Sequence, residues 1–385
     1  MSVRKSKRIE GLVQSDIRRM TLECNRLGGI NLGQGICDMP TPPEVLEATQ
    51  AAVAEDLSVY SRYDGVEPLR AQIAAKMEAH NKRPTDPESE VVVTIGSTGA
   101  FACTCQAMLN PGDEVILFEP YYGYHRNTLT VAGCVPRFVP LAPPDWKLDR
   151  AMLDAVVTDK TRAILINTPS NPSGKVFGRE DLEVIAGFCQ ENDLLAITDE
   201  IYEYIVYDDA EHISLATLPG MRERTVTMSG FSKTFSITGW RLGYAVAPPE
   251  IAGPIGLVND LCYICAPSPL QYGVAHGMAK LNDSYYTQMR DMYQVKRDQI
   301  CAVLEAAGLP PIRPQGAYYV LADVSRLGRS TAREASMAIL EQVGVASVPG
   351  SAFFTGEVGE SLVRFCYAKE DEVLEAACER LARLA

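Results

Sequence analysis

Short β-branched runs alternate with longer helical patterns through the middle of the chain, and this alternation limits the possible folds most. Parallel strands need a crossover connection, usually a helix, so the pattern predicts a mainly parallel sheet. Such a sheet is covered by helices on both faces. The predicted strands are Val91–Ile95, Glu114–Phe118, Ala163–Asn167, Leu194–Thr198 and Thr225–Met228, and the predicted helices between them are Ala100–Leu109 and Asp181–Asn192.

The pattern changes after about residue 280. A long charged helix around Ser284–Ala307 precedes short strands near Ala317–Ala322 and Val363–Tyr367, and a last helix is predicted over Glu370–Leu384. The 385 residues exceed one typical domain. We therefore predict a large α/β domain over residues 45–280 and a smaller α+β domain formed by residues 1–44 and 281–385.

Charge and cysteine content narrow the class of protein. A formal net charge of -13 opposes nucleic-acid binding. The 11 scattered cysteines suit reduced thiols in the cytoplasm better than a disulfide framework. Cys262 and Cys265 lie in an apolar segment and are expected to be buried free thiols, so no metal site is predicted. No apolar run is long enough to suggest a membrane span.

Two polar segments follow predicted strands, where parallel sheets bind ligands. Gly96-Ser97-Thr98-Gly99 precedes a helix and suits an anion site, although it also suits a plain helix cap. Asp199 ends another strand, either as a functional carboxylate or as a cap for the next turn. Neither segment decides between its alternatives alone.

Two further segments contribute two cations, Lys233 and Arg241, and the side-chain amide of Asn171. Lys233 lies among small and apolar residues, where burial favours its neutral, nucleophilic amine. Arg241 has a forked donor set that suits phosphate. Asn171 lies in a proline-rich loop that could hold its amide in place. Taken singly, each also fits an ordinary surface or turn residue, and most lysines are surface residues. Together with Asp199 and the Gly96–Gly99 loop, they form the set that a pyridoxal cofactor needs.

The chain resembles the class I/II aminotransferases of pyridoxal 5′-phosphate (PLP) fold type I, the aspartate-aminotransferase-like family. The resemblance runs from Asn31–Gly35 to Val363–Phe365. Its most specific signature is Ser232-Lys233 followed by Gly239-Trp240-Arg241-Leu242-Gly243. Asn171–Gly174 and Asp199–Tyr202 occur in the expected order. It implies a large domain with a mainly parallel sheet and a smaller α+β domain.

The resemblance also implies roles for the cofactor-site residues. Lys233 resembles the lysine that carries PLP as a Schiff base and later moves the proton. Asp199 resembles the partner of the pyridine nitrogen. Tyr202 and Asn171 resemble the pair that bonds the ring 3-oxygen, and Tyr122 the aromatic residue that stacks on the ring. The phosphate site is expected to contain Ser97, Thr98, Gly99, Ser232 and Arg241.

Substrate and subunit contacts follow from the same resemblance. Arg364 is expected to grip the substrate α-carboxylate, helped by Asn171 and the Gly35 backbone. Tyr60 resembles a tyrosine that reaches the phosphate of a neighbouring subunit, which implies a homodimer with shared active sites. One departure is Gly230, where many relatives carry a phosphate-binding serine. Ser232 or Ser229 is expected to substitute.

The implied reaction is ping-pong transfer of an amino group from an L-amino acid to a 2-oxo acid. The same fold supports carbon–sulfur β-lyases, and a non-catalytic PLP-binding regulator is a third reading. Relatives specific for aspartate bind the side-chain carboxylate of the substrate with an additional arginine or lysine. In this chain no arginine lies between Arg241 and Arg290, and the phosphate loop contains Thr98 instead of a lysine. Weak aspartate activity and neutral or aromatic substrates are therefore expected, with Arg126 as a nearby cation that opposes this argument.

Overall fold

A computed structural model describes residues 4–10, 12 and 15–384; residues 1–3, 11, 13 and 14 of the predicted small domain, with residue 385, lie outside the described residues. The strands are β1 (Ile30–Asn31), β2 (Val91–Ile95), β3 (Glu114–Glu119), β4 (Val135–Pro140), β5 (Thr161–Asn167), β6 (Leu195–Asp199), β7 (Thr225–Gly230), β8 (Leu242–Val246), β9 (Pro311–Ile312), β10 (Tyr319–Asp323), β11 (Val345–Ala346), β12 (Val348–Pro349) and β13 (Leu362–Cys366). The α-helices are α1 (Asp16–Leu27), α2 (Pro43–Ala54), α3 (Glu67–Ala79), α4 (Gly96–Met108), α5 (Gly123–Ala132), α6 (Arg150–Asp154), α7 (Arg179–Glu191), α8 (Pro249–Tyr263), α9 (Ser268–Lys280), α10 (Asp283–Ala306), α11 (Ala332–Val343) and α12 (Asp371–Leu381).

The largest sheet has seven strands in the order β2-β8-β7-β6-β5-β3-β4. Strands β7, β6, β5, β3 and β4 are parallel, whereas β8 runs antiparallel to both of its neighbours. Two reversals in a row leave β2 parallel to β7. The carboxyl ends of six strands therefore meet at one edge, together with the beginning of β8. The α/β fold with a mainly parallel sheet is confirmed.

Both faces of this sheet are buried, as β3 shows. Val115 and Leu117 pack into one core cluster with Phe101 of α4. Ile116 and Phe118, the alternate residues, pack into another cluster. Because successive side chains point to opposite faces of a strand, an unbroken apolar run fits a strand covered on both sides.

The C-terminal part contains a four-stranded sheet in the order β12-β13-β10-β9, antiparallel in all three pairings. The N-terminal segment joins this part of the chain, because β1 pairs in parallel with β11. Met20 and Cys24 of α1 pack against Leu340 of α11. The domain boundaries at residues 44/45 and 280/281 stay a prediction.

Most predicted elements agree with the structure to within a few residues. The prediction that Cys262 and Cys265 are buried is wrong: Cys262 is exposed and Cys265 is half-buried at the end of α8, although both are free thiols. All eleven cysteines lie in the described ranges and all are free. Among the helices described, none combines the length and apolar character needed to cross a bilayer.

Candidate active site

A cavity of about 520 Å³ lies at the strand-end edge of the large sheet. It brings together most of the residues that the sequence singled out. The exceptions are Gly99, which is buried in the first turn of α4, and Tyr60, whose side chain is 78% exposed outside this cavity. The predicted residues that line the cavity are Gly35, Ser97, Thr98, Tyr122, Asn171, Asp199, Tyr202, Ser232, Lys233, Arg241 and Arg364.

Lys233 lies on the connection between β7 and β8, enclosed by protein on most sides. Its Nζ donates to the main-chain oxygen of Gly35 at 3.1 Å. The amine also lies over two aromatic rings, 5.9 Å from the centroid of Tyr202 and 5.5 Å from that of Tyr318. Burial lowers the pKa of Lys233 below its usual 10.5. More of the amine is therefore neutral and nucleophilic than in an exposed lysine.

Asp199 is held in place at the end of β6. Its Oδ2 lies 2.9 Å from Nε2 of His125, and its Oδ1 accepts from the Ile201 amide at 3.3 Å. The sequence reasoning missed His125. The sequence offers one signal for His125. It follows Tyr122 by three residues at the beginning of α5, and side chains at that spacing share one face of a helix.

The turn from β2 into α4 forms an anion cradle with Arg241. Gly96 has φ +68°, and a Cβ at this position would lie 2.4 Å from Nη2 of Arg241. A Cβ on Gly243 would lie 2.4 Å from the Ser97 amide nitrogen. Glycines are therefore required for the arginine and the helix N-terminus to approach each other. Free amides and a guanidinium at one point favour a phosphate.

The glycine that replaces the expected serine has a steric reason. A Cβ on Gly230 would lie 2.9 Å from the Gly243 Cα of the neighbouring strand. Ser229, one of the two suggested substitutes, faces elsewhere: its hydroxyl donates to Oε1 of Glu203 at 2.8 Å. Ser232 lines the cavity and is the serine that can take this position.

Arg364 on β13 forms the opposite wall of the cavity. Its Nη1 donates to Asn171 Oδ1 at 2.8 Å, and its Nη2 donates to the Gly33 carbonyl at 2.5 Å. The guanidinium carbon lies 4.3 Å from the ring centroid of Tyr319 and 4.9 Å from that of Phe353. Among the described residues, its buried Nε has no hydrogen-bond partner. The Gly33 main chain thus holds this arginine, while Gly35, which is expected to help bind the substrate carboxylate, lines the same cavity.

Tyr202 and Tyr319 form a buried hydroxyl pair beside Lys233. Their oxygens are 3.1 Å apart. Burial raises the pKa of both hydroxyls, so both stay protonated at neutral pH and can donate. A Cβ on Gly35 would lie 1.9 Å from the Tyr319 oxygen, so this position requires glycine. Tyr319 lies within a predicted strand, but its approach to the site was not predicted.

A second polar network lies behind this cavity, around Glu200 and Glu203. Lys76 and Asn81 donate to Glu203, in the case of Asn81 at 2.8 Å. Glu200 accepts from Ser214 at 2.9 Å, and its other partners are Thr198, His212 and Asn81. Glu200, Glu203 and His212 are close enough together to hold a metal ion. Glu203 is already paired with the Lys76 ammonium, and Glu200 already has four polar partners, so we assign no metal to this group.

The cavity fits PLP by the chemistry of its donors. Lys233 provides an amine that is easily deprotonated, Asp199 a fixed carboxylate, and the α4 turn with Arg241 a phosphate cradle. Tyr202 and Asn171 add a hydroxyl and an amide. The buried, unpaired Nε of Arg364 is a donor left for a further anionic group.

Comparisons with known proteins agree with this geometry. Residues 28–381 match the family model for aminotransferase class I and II. The chain is 37% identical over 377 residues to a protein of Mycobacterium tuberculosis H37Rv named probable N-succinyldiaminopimelate aminotransferase DapC, covering 95% of each chain. It is 35% identical over 404 residues to human kynurenine–oxoglutarate transaminase 3, covering 97% of this chain and 89% of the human one. The solved structure of the M. tuberculosis N-succinyldiaminopimelate aminotransferase superposes with a TM-score of 0.96 at 36% identity, covering 99% of this chain and all of the other.

Proposed function

The chain belongs to the class I and II aminotransferases, and we propose that it moves amino groups between neutral or aromatic amino acids and 2-oxo acids. Enzymes of this family use PLP, so the protein is a PLP-dependent aminotransferase. Its membership of an enzyme family disfavours the non-catalytic regulator. Nothing in the relatives' names favours the β-lyase alternative.

The single observation that carries the proposal is the convergence of Lys233, Asp199 and Arg364 on one cavity. Lys233 supplies an amine with a lowered pKa, which can take a proton at Nζ and give it back. Asp199, fixed by His125, supplies a negative charge that would keep a proton on a ring nitrogen. Arg364, oriented by Asn171, would bind a carboxylate.

The remaining residues would hold the cofactor and position its ring. The α4 turn, Ser232 and Arg241 would bind the phosphate, while Tyr122 would stack on the ring and Tyr202 would donate to it. When bound, PLP supplies an electrophilic carbon and a ring that accepts the electron pair released with the substrate α-proton. Tyr202 and Tyr319 stay protonated, and the Lys233 amine lies over the Tyr202 ring. Burial around the amine limits competing reactions with water.

The preference for neutral or aromatic substrates is supported by the cavity wall. Tyr122 and Tyr124 stack with ring centroids 5.2 Å apart, and both line the cavity. Thr98 stands in the phosphate turn, where aspartate specialists can carry a lysine. The relative named a kynurenine–oxoglutarate transaminase also takes, by its name, an aromatic amino acid.

A homodimer with shared sites is supported by one exposed apolar surface. Tyr60 (78% exposed) and Val59 lie on a loop that packs on α8, where Asn259 donates to the Tyr63 carbonyl at 2.7 Å. Leu257 and Leu261, one helical turn apart on α8, are exposed beside this loop. An apolar surface of this kind marks an interaction site. A second copy would cover it, and Tyr60, which lies outside its own cavity, would reach the partner's phosphate.

A cytoplasmic location stays a proposal, supported by the eleven free thiols.

The visible spectrum of the purified protein tests the proposed reaction. An aromatic amino acid should bleach the absorbance of bound PLP and release one equivalent of its 2-oxo acid, and a second 2-oxo acid should restore the absorbance. Aspartate as the best donor would contradict the substrate preference. Pyruvate and ammonia formed from cystathionine without an acceptor would identify a lyase instead.

A further inference from the structure

In the hydroxyl pair of Tyr202 and Tyr319, the proposed function uses Tyr202 alone. The two oxygens lie 3.1 Å apart, and either hydroxyl can be the donor. A hydroxyl has one hydrogen and two lone pairs, so it can donate to one group while it accepts from another. Tyr202 would donate its hydrogen to the cofactor ring. Its oxygen then remains as the acceptor, and Tyr319 becomes the donor of the pair.

The position of the Tyr319 hydroxyl is set by the C-terminal sheet. Tyr319 of β10 lies opposite Cys366 of β13, and Leu321 lies opposite Arg364. Because alternate residues of a strand share a face, Tyr319 and Arg364 lie on the same side of this sheet. The Arg364 guanidinium stacks on the Tyr319 ring at 4.3 Å. The ring is therefore fixed by a contact that does not involve its hydroxyl.

The peptide that precedes β10 adds to this rigidity. Ala317, two residues before Tyr319, has φ +59°, a left-handed conformation that residues with a side chain keep only where surrounding contacts hold it. Its carbonyl accepts from the Tyr367 hydroxyl at 3.2 Å and also from the Tyr207 hydroxyl. Contacts outside the cavity thus fix where the chain enters it at Tyr319.

The surroundings direct the Tyr319 hydrogen towards Tyr202. The nearby carbonyl of Gly35 already accepts from Lys233 at 3.1 Å and from Tyr318 at 3.3 Å. Tyr202 is 4% exposed and Tyr319 is 2% exposed, so bulk water has little access to either hydroxyl. Once Tyr202 donates elsewhere, its oxygen is the acceptor placed to receive this hydrogen.

We propose that Tyr319 is a positioning residue that donates to Tyr202 and so strengthens the hydrogen bond from Tyr202 to the 3-oxygen of the cofactor ring. The inference rests on the proposed binding of PLP by Lys233 and Tyr202. Hydrogen bonds in a chain polarise one another, so a hydroxyl that accepts becomes a better donor. A stronger donor at the ring oxygen favours negative charge there and disfavours a proton on the nitrogen that Lys233 shares with the cofactor. Tyr319 would thereby lower the pH at which this nitrogen loses its proton.

The visible absorbance of the PLP-loaded protein, followed as a function of pH, tests this role without turnover. The midpoint of the spectral change reports the proton on the nitrogen shared by Lys233 and PLP. Tyr202→Phe should raise the midpoint by about 1 to 2 pH units, as for a lost hydrogen bond to a charged group. Tyr319→Phe should raise it by about 0.2 to 0.6 units, because cooperativity strengthens a bond by roughly 10 to 30%.

The double variant decides whether Tyr319 acts through Tyr202. In a Tyr202→Phe background, Tyr319→Phe should move the midpoint by less than about 0.1 unit, because the acceptor of its hydrogen is gone. An equal shift in both backgrounds, no shift in either, or a shift to lower pH would overturn the proposal. Seven other ionisable groups near the pair and Lys233 are the same in all variants, so their charges cancel in the comparison: Cys37, Tyr122, Asp199, Arg241, Tyr318, Arg364 and Cys366.

Tyr367→Phe is the matched control for the loss of a buried hydroxyl. Tyr367 belongs to the same core cluster as Tyr319, but its hydroxyl bonds to Tyr207 and to the Ala317 carbonyl. This variant should lower the free energy of unfolding in urea at least as much as Tyr319→Phe, and leave the midpoint unchanged. If it moved the midpoint as far as Tyr319→Phe does, loosening of the core would explain the shift and the proposal would be wrong.

Two further measurements separate this role from its neighbours. Tyr319→Phe keeps the ring on Arg364, so binding of 3-phenylpropanoate, an unreactive aromatic carboxylate, should change by less than about 2-fold. A loss above about 10-fold would mean that the hydroxyl serves the carboxylate instead, and would overturn the proposal. Lys233→Ala should abolish the midpoint. Its persistence there would refute the proposed cofactor site itself, whereas an unshifted midpoint in Tyr319→Phe would refute only the role of Tyr319.

Discussion

Asp199 and Glu200 are neighbours at the end of β6, yet they belong to two regions with opposite electrostatics. In the cavity, the cations are bonded to neutral acceptors: Lys233 to the Gly35 carbonyl and Arg364 to Asn171 and the Gly33 carbonyl. In the network behind it, the Lys76 ammonium meets the Glu203 carboxylate directly. The cavity therefore keeps its positive charges available for ligands, whereas in the network the ammonium is already paired with a carboxylate.

The comparison shows that burial of charge does not by itself indicate function. Glu200 is fully buried with four polar partners, and Asp199 is nearly as buried with two. Unused bonding capacity does not distinguish the cavity either, because within the described part of the chain Nε of Arg364 lacks a partner, but so do Oδ1 of Asn81 and Nδ1 of His212 in the network. What distinguishes the cavity is that its cations are bonded to neutral acceptors rather than to carboxylates. Groups fixed in advance but left unneutralised are what an electrostatic catalyst needs.

Removal of the amine at the centre of the cavity should have the largest effect. Lys233→Ala should reduce kcat at least about 10⁴-fold, because the variant loses both the covalent anchor and the proton carrier. The free energy of unfolding should fall little, since the amine is held at a lowered pKa by desolvation. Stopped-flow assays and urea unfolding measure the two quantities. Near-normal turnover would refute the assignment of the site.

Replacing each of the two neighbouring carboxylates by its amide should distinguish the role of the cavity from that of the network. Asp199→Asn should lower kcat about 10³-fold, by loss of a charge that stabilises the transition state, with a nearly unchanged free energy of unfolding. Glu200→Gln is the matched variant and should do the reverse: lower stability by about 1 to 3 kcal/mol with turnover per folded molecule retained. If both variants lost activity equally, the division between the regions would be wrong.

The acid sensitivity of the network gives the smallest effect. Burial has the largest single influence and would raise the pKa of Glu203. The charge and hydrogen bond of Lys76, with the neighbouring His80 and His212, together outweigh burial and lower this pKa from 4.5 to about 2. A depressed carboxyl pKa adds stability above pH 4.5 that is lost as the pH falls towards 2. Glu203→Gln should therefore be less stable than wild type at pH 7, and the difference should shrink below pH 4.5. A difference that did not change with pH would point to packing rather than charge.

The sequence predicted the parallel core of the fold well but missed two strands of the large sheet. In β2, β3, β5, β6 and β7, apolar runs are bounded by turns, which is a strong local signal. β4 lies at the sheet edge and contains Pro136 and Pro140, which weaken a strand pattern. β8 begins inside the Gly239–Gly243 motif, so its first residues read as part of a loop.

Site residues that directly follow a predicted strand could be predicted from the sequence. Contacts between segments that are distant along the chain could not. His125 reaches Asp199 across 74 residues, and the contact between Gly33 and Arg364 joins residues 331 apart. Neither contact can be predicted from a local sequence pattern, because both depend on how distant elements pack together. The role of Gly230 likewise depends on its neighbour Gly243 in β8, a strand that the pattern did not predict.

The connection between β7 and β8 has an evolutionary consequence. It carries both Lys233 and Arg241, and each of its ends is locked into the centre of the sheet by antiparallel pairing. The spacing of the reactive amine and the anion-binding guanidinium is therefore inherited as one unit. Tyr124 and Arg364, by contrast, are carried by two separate elements. We expect descendants of this architecture to change their substrates through substitutions in those two elements, while the amine and the anion-binding guanidinium keep their spacing.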